Sequence, residues 1–296
     1  MIFLDKLKYY LIQNNTINQT VFKNTFWLSL AEFFKNMIRL LIQILLARKL
    51  GVAGYGLFSF VLSFASIFLF IANFGFPTLV LREVSRDKTK VKKLFDNILF
   101  VKLILGTITF LLIIFSAKII AVEESTRFLI YLAGISVIVN TFSGFFRAFF
   151  RAFEKMQWEA FSKIFEGALL ALVIGFLIIG RGADLKEIFY GYIVVGIIIL
   201  VLNLIILAKR FLKDGLFKKY NLDFKEIKLI LKESLPLVFS AVFISIYYHI
   251  DQIMIGVIST KMELGYYSAA QRIIYGLSMF YMITMISFSP KIAYFF

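Results

Sequence analysis

The sequence contains eight apolar runs, each long enough to cross a lipid bilayer as a helix. A hydrocarbon core about 30 Å thick needs roughly 20 apolar residues per helix. The runs are continuous rather than alternating, which predicts helices and argues against the strands of a membrane barrel. They occupy residues 26–47, 57–76, 98–117, 128–146, 160–179, 188–208, 235–258 and 266–288. We therefore predict an all-α polytopic membrane bundle of about eight helices.

The composition excludes most other classes of protein. Sixty per cent of the 296 residues are apolar and 17% are charged, whereas a soluble domain carries about 25% charged residues. One His and no Cys argue against a zinc site, a disulfide scaffold and a Cys nucleophile. The sequence has no Gly-rich phosphate loop and no large outer loop that could hold a catalytic site. We expect a protein without enzyme activity, cofactor or metal.

The basic residues predict the orientation in the membrane. With the N-terminus in the cytoplasm, 22 of the 33 Lys and Arg residues fall in inner segments, seven fall in outer ones, and the other four lie inside spans. Lys and Arg accumulate on the cytoplasmic side of membrane proteins. We therefore predict a multi-pass plasma-membrane protein with a cytoplasmic N-terminus. The net charge of +15 then reflects these loops, and we expect no nucleic-acid partner.

The longest basic connection, 209–234, ends in KEIKLILKESLP (225–236). Four apolar residues stand there among three lysines, which predicts a short amphipathic helix on the inner leaflet, ended by Pro236. A solvated basic linker is the alternative.

The chain shows a weak internal repeat at a shift of 209 residues. GYGLFS (54–59) falls on ELGYYS (263–268), which pairs Gly56 with Gly265, and Gln43 falls on Gln252. The second copy starts after six spans. Six is an even number, so both copies point the same way across the membrane, as in transporters built from parallel repeats. We predict a six-helix lobe in 1–208, a linker in 209–234 and the first two helices of a second lobe in 235–296.

Three segments carry a resemblance to a known family. They are ARKLGVAGYGLFSF (47–60), REVSRDKTKVKKLFDN (82–97) and HIDQIMIGVISTKMELGYYSAAQRI (249–273). They resemble the polysaccharide transporter branch, the O-antigen or oligosaccharide flippases, of the multidrug/oligosaccharidyl-lipid/polysaccharide exporter superfamily. Members usually have twelve to fourteen spans, and this chain ends after the eighth. A fragment, a split gene product and a truncated variant all stay open.

The first span carries a polar stripe of Glu32, Lys35, Asn36, Arg39 and Gln43. At 100° per residue these five fall within an arc of about 100°. Charged residues inside a bilayer face a bundle interior or a watery cavity. The stripe therefore predicts a cavity lining, and an internal pair of Glu32 with Lys35 or Asn36 is the structural alternative.

The seventh span carries Tyr247, Tyr248, His249 and Asp251. An intramembrane Asp pairs with a cation, binds an ion or carries a proton, and Arg272 in the next span is the candidate for a structural pair. The resemblance implies a sodium or proton site, since some members have one at an acid in this helix. A lone His beside Tyr and Gln is more often simply hydrogen-bonded, although His249 could titrate near neutrality.

Arg272 lies inside the eighth span, where the resemblance implies a cavity arginine of the lipid-linked-sugar flippases. The planar guanidinium binds two phosphate oxygens at once. We expect Glu166 to pair structurally with Lys163. Positive charge exceeds negative charge within the spans, as Lys35, Arg39, Lys102 and Arg272 face Glu32, Glu166 and Asp251. This balance favours an anionic cargo.

These features predict a flippase that moves a polyprenyl phosphate-linked oligosaccharide by alternating access. Arg39, Arg272 and Lys35 would hold the phosphate, while Asn36, Gln43, Tyr247 and Tyr248 would contact the sugars. Asp251, Glu32 and His249 would couple to Na⁺ or H⁺ or form pairs. Membrane lipids and glycan-assembly proteins are the further expected partners. The alternatives are a cation-coupled exporter of small molecules and a non-autonomous fragment.

Overall fold

The computed structural model describes residues 17–120, 123–211 and 222–274, and all the regular structure in these ranges is helical. The first helix, Ile17–Ser66, is broken at Gly51, where φ is 68° and ψ is 177°. Only glycine adopts this backbone conformation readily. We name the two arms α1 (17–50) and α2 (52–66).

The remaining helices follow in chain order. They are α3 Leu69–Asn73, α4 Phe76–Arg86, α5 Val91–Ile119, α6 Glu124–Ala152, α7 Met156–Gly175, α8 Leu185–Arg210, α9 Phe224–Ile258 and α10 (261–274). A 3₁₀ turn, Lys88–Lys90, precedes α5, and a π-helical turn, Phe176–Arg181, extends α7.

Six helices in the described ranges are long and apolar enough to cross a membrane: the bent α1–α2 helix, α5, α6, α7, α8 and α9. The predicted all-α membrane bundle is therefore confirmed. The second predicted span, 57–76, is divided among α2, α3 and the turn at Phe74–Gly75. The eighth, 266–288, begins in α10, and its part from residue 275 onward lies outside the described residues.

The helices pack around two apolar cores, one at each end of the bundle. The core at one end combines α2, the start of α6 and the start of α8, with Phe58, Leu129 and Ile188 fully or nearly buried. The other core combines α4, the start of α5 and the ends of α6 and α8. We call this second end the basic end, because the 3₁₀ turn Lys88–Lys90 lies there. Lipid is as apolar as these side chains, so close packing and polar contacts hold the helices together.

The break between α3 and α4 frees backbone carbonyls inside the bundle. Lys102 of α5 is fully buried, and its Nζ donates to the Ala72 carbonyl at 2.7 Å. The same ammonium lies 5.0 Å from the centre of the Phe142 ring. This intramembrane lysine therefore supports a helix end.

The N-terminal part of α9 packs against α4 and α5 at the basic end. Arg82 of α4 binds Glu233, and Lys93 of α5 lies 2.8 Å from Glu226 and 3.1 Å from Asp223. The hydrogen bond from the Lys93 ammonium holds the pKa of the Asp223 carboxyl below its ordinary value. Ile230 is buried in the basic-end core.

The predicted end of this helix at Pro236 is wrong, because α9 runs through Pro236 to Ile258. A proline removes one backbone donor and disfavours the helical conformation of its predecessor. Here the ion pairs and the burial of Ile230 hold the first turns of α9 in line with the rest. Residues 212–221 of the predicted linker lie outside the described residues.

At the end opposite the basic end, the bend between α1 and α2 touches the bend between α9 and α10 through glycines. A Cβ on Gly56 of α2 would collide with the Lys261 carbonyl, and a Cβ on Gly265 of α10 would collide with the Val52 carbonyl. At the shift of 209 residues, Gly56 matches Gly265 and Val52 matches Lys261. The contact is therefore reciprocal between matched positions, as at an interface around a twofold axis.

We expect Gly56→Ala and Gly265→Ala to destabilise the protein. The added methyl group meets backbone atoms, which cannot turn away as a side chain can, and overpacking of this kind costs about 1–3 kcal/mol. Gly144→Ala and Gly175→Ala are matched controls in helices, since a Cβ at either site meets no atom within 4 Å. Thermal unfolding in detergent should show a lower midpoint only for the first two variants. Equal midpoints for all four would contradict the close contact.

Candidate substrate-binding site

A ladder of seven charged side chains joins α1, α6 and α7. We call it the charge ladder: Glu32, Lys35, Arg147, Arg151, Glu159, Lys163 and Glu166. The three α7 residues recur at i, i+4 and i+7, so they share one helical face. That face meets the polar stripe of α1 on one side and the basic residues of α6 on the other.

The rungs nearer the basic end contain equal numbers of cations and acids. Arg151 lies 3.2 Å from Glu159, and Lys163 lies 2.7 Å from the other oxygen of Glu159. The Lys163 ammonium also donates to Glu32 at 2.6 Å. Two cations therefore meet two acids, and these rungs carry no net charge.

The rung nearest the middle of α7 is unequal. Glu166 is 6% exposed, and its Oε2 accepts a hydrogen bond from Arg147. Arg147 also donates to Ser162 at 3.2 Å. The other oxygen of Glu166 lies 3.5 Å from Lys35 Nζ. One acid is thus shared by two cations, and the ladder as a whole carries one positive charge in excess.

Two pairings predicted from sequence are wrong. Glu166 does not pair with Lys163, because α7 directs Glu166 toward Arg147 and Lys35. The alternative pairing of Glu32 within α1 is also wrong, because Lys163 of α7 is its ion-pair partner. In both cases a partner on another helix replaces the neighbour in sequence.

Arg39 of α1 and Arg272 of α10 are two cations that lie near each other. Arg39 stands one turn beyond Lys35, and its positive charge is close enough to that of Arg272 for the two to repel. Within the described ranges, neither arginine forms an ion pair, and the Arg272 Nε is buried without a hydrogen-bond partner. The Arg39 side chain is exposed, although Arg272, Tyr192 and His249 of three other helices lie near it. It therefore stands in an open cleft.

Two aromatic side chains complete this cleft. Tyr192 of α8 interacts electrostatically with both arginines, and so does His249 of α9. We call the group of Arg39, Arg272, Tyr192 and His249 the arginine cleft. It is bounded by α1, α8, α9 and α10, so it lies between the first lobe predicted from sequence and the helices that follow.

The other residues predicted to contact sugars are Asn36, Gln43, Tyr247 and Tyr248. Gln43 is 8% exposed, and Asn36 is half-buried on the same face of α1. Tyr247 is 76% exposed, and its ring packs edge-on against that of Tyr248, with centroids 5.2 Å apart. Among the described contacts, none joins Asn36, Gln43 or Tyr247 to Arg39 or Arg272. Their predicted role in sugar contact stays a prediction.

Asp251 belongs to a hydrogen-bond network of α9 and α10. Its carboxylate accepts a hydrogen bond from the Tyr267 hydroxyl and another from Gln271 Nε2 at 2.7 Å. Gln271 in turn accepts from Gln252, and Gln252 accepts from Ser63 of α2. The proposed ion pair with Arg272 is wrong, because Asp251 is paired with neutral donors in the part of the chain that the structure describes.

Sequence reasoning missed Tyr192 and the partners of Glu166. The residues of α7 at i, i+4 and i+7 form a charged face that complements the one on α1. This spacing could have indicated that the charges of α7 pair with another helix. Tyr192 gave no such signal, since it is one tyrosine in an apolar run.

The sequence profile of a family described as "Polysaccharide biosynthesis protein" matches residues 21–294. The chain belongs to this family. The resemblance seen in the sequence is thereby confirmed.

Individual relatives agree with this assignment. A protein of Escherichia coli (strain K12) assigned as an O-antigen transporter is 23% identical over 268 residues, which cover 88% of this chain and 61% of the relative. The chain therefore spans about three fifths of that relative's length.

Solved structures show the same fold. A chain named "protein A" has a TM-score of 0.73 at 15% identity, covering 96% of this chain and 66% of its own. An outward-facing multidrug resistance MATE family transporter of the MOP superfamily has a TM-score of 0.59 at 15% identity, covering 88% of this chain and 61% of its own.

We expect Arg147→Met to destabilise this member of the family strongly. Removing one partner of a buried pair typically costs about 3–5 kcal/mol, and Glu166 would keep only the longer contact with Lys35. Arg147→Met combined with Glu166→Met removes both charges and should recover most of the loss. Arg181→Met, at an exposed site, is the control for unfolding measured in detergent. A single variant as stable as the control would show that the pair contributes little.

Proposed function

We propose that this chain forms part of a flippase that moves a lipid-linked oligosaccharide across the plasma membrane. The observation that carries this proposal is the arginine cleft, where Arg39 and Arg272 lie near each other and form no ion pair among the described residues. Unpaired charge is costly within a bilayer. Two such cations at one site are a suitable receptor for a phosphate or diphosphate, which binds guanidinium groups through paired hydrogen bonds.

The charge ladder supports an anionic cargo as well. The rungs nearer the basic end carry no net charge. The rung of Glu166 carries one excess positive charge, and the arginine cleft carries two. Positive charge therefore increases from the basic end toward the middle of the bundle. With the basic end in the cytoplasm, as the distribution of Lys and Arg favours, this gradient attracts the phosphate of a cytoplasmic lipid-linked sugar.

The proposed movement is alternating access between two lobes, one formed by α1 to α8 and the other begun by α9 and α10. The reciprocal contact of Gly56 with Lys261 and of Gly265 with Val52 supports this division, because matched positions meet at the end opposite the basic one. With these bends in contact, that end of the path between the lobes is closed. The energy source would be an ion gradient or the membrane potential.

We expect Arg39→Ala and Arg272→Ala each to weaken binding of farnesyl diphosphate by roughly tenfold or more. A hydrogen bond to a charged group contributes about 1.5–3 kcal/mol, and 1.4 kcal/mol corresponds to a factor of ten. Binding would be measured on the purified chain in lipid nanodiscs. Lysine at either position keeps the charge but loses the planar fork, so an intermediate affinity is expected.

Arg48→Ala is the matched control, because Arg48 lies on the same helix and is exposed. Farnesol, which lacks the diphosphate, should bind all variants equally. If both cleft variants bind farnesyl diphosphate like the parent protein, the arginine cleft is not the phosphate site. In cells, the same two variants should fail to restore surface polysaccharide in a strain that lacks its own flippase.

A cation-coupled exporter of small molecules is the second candidate, and Asp251 favours it. Its carboxylate accepts hydrogen bonds from neutral side chains and forms no ion pair among the described residues. An acid inside a membrane bundle that lacks an ion pair is a candidate site for a coupling cation.

We expect Asp251→Asn to remove a dependence of thermal stability on Na⁺ while leaving binding of farnesyl diphosphate intact. Asparagine keeps hydrogen-bond acceptance from Tyr267 and Gln271 but loses the charge. Asp184→Asn, at the exposed start of α8, is the control. Unfolding midpoints would be recorded across a range of Na⁺ concentrations. A stability profile unchanged from that of the parent protein would leave Asp251 without a coupling role.

A further inference from the structure

We propose that Glu166 is a positioning residue that competes with the cargo phosphate for Lys35 and thereby limits how tightly the cleft holds its cargo. This inference rests on the proposed function and assigns a role to an acid that does not itself contact cargo. With an empty cleft, Glu166 holds Lys35; when a phosphate enters, Lys35 turns toward Arg39 and Arg272.

The contacts of Glu166 are divided unequally between its two partners. Arg147 donates a charge-assisted hydrogen bond to Oε2, whereas Lys35 Nζ lies 3.5 Å from Oε1. Hydrogen bonds of this type usually measure about 2.7–2.9 Å. Lys35 is therefore the loosely held partner, and its side chain is 25% exposed while that of Arg147 is 7% exposed.

The position of Lys35 allows the exchange. Lys35 and Arg39 are four residues apart on α1, so their side chains are neighbours on one helical face. A lysine ammonium sits on a flexible four-carbon stem and can redirect its three donors. A phosphate bound to Arg39 is therefore within the range of motion of Lys35.

Departure of Lys35 does not leave Glu166 unpaired. Arg147 remains bound to Oε2 and is itself oriented by Ser162. The acid that α1 itself contributes to the ladder, Glu32, differs in this respect, because Lys163 holds it at 2.6 Å and is also bound to Glu159. Glu166 is thus the acid of the ladder that can release a cation toward the cleft.

The test measures binding of farnesyl diphosphate to the full chain in nanodiscs. Glu166→Gln keeps an acceptor for Arg147 and frees Lys35, so affinity should rise roughly threefold to tenfold, with slower dissociation. Lys35→Gln should lower affinity. In the Lys35→Gln background, the additional Glu166→Gln change should have no further effect, because the released cation is absent.

Two further variants separate this role from a general change of charge. Glu159→Gln also removes one acid, but its partners are Arg151 and Lys163, and its affinity should stay at the parent level. Arg147→Met with Glu166→Met leaves the net charge unchanged and removes both members of the buried pair, yet frees Lys35. It should bind more tightly, which also covers the case in which Glu166→Gln folds poorly.

The outcomes distinguish the proposed role of Glu166 from the proposed phosphate site. An equal rise for Glu159→Gln, or a rise from Glu166→Gln that persists without Lys35, would overturn the role of Glu166 and leave the phosphate site intact. Unchanged binding in Arg39→Ala and Arg272→Ala would overturn the phosphate site itself.

Discussion

An ionised side chain inside a bilayer must meet an opposite charge, a polar group or water, and the interior of this protein depends on that requirement. It explains why α1, α6 and α7 stay together although lipid competes equally for their apolar surfaces. Seven charged side chains on three helices share their partners across the helix boundaries. Separating any of these helices would leave a buried charge without a partner. The ladder therefore fixes the first arm of the bundle relative to α6 and α7, and with it the direction in which Arg39 projects.

The opposite end is held by close packing of backbone. The conformation of Gly51 reverses the chain between α1 and α2, and Gly56 and Gly265 then allow the two bends to meet without side chains between them. Charge pairing near one end and glycine contact at the other leave the arginine cleft between two fixed regions. A cleft bounded in this way keeps two cations close together despite their repulsion.

The sequence alone predicted the bundle of membrane-spanning helices and the polar face of α1, because each depends on residue types along one helix. The partners of the charges could not be predicted in the same way. Glu166 lies one turn from Lys163, yet it pairs with Arg147 and Lys35 on other helices. Likewise, Pro236 is a local signal for a helix end, but ion pairs with α4 and α5 and the burial of Ile230 keep α9 continuous. Local signals fail where contacts between helices outweigh them.

Under the proposed function, the unpaired arginines also bear on the direction of transport. A cleft that closes around a phosphate encloses charges that largely cancel, whereas an empty cleft carries the charges of Arg39 and Arg272. Moving one elementary charge through the membrane potential changes the free energy by about 2.3 kcal/mol per 100 mV. With the cytoplasm negative, the potential draws the empty, positively charged cleft back toward the inside. The loaded cleft, closer to neutral, moves outward against a smaller opposing force, so the same two arginines that bind the cargo would let the membrane potential reset the transporter.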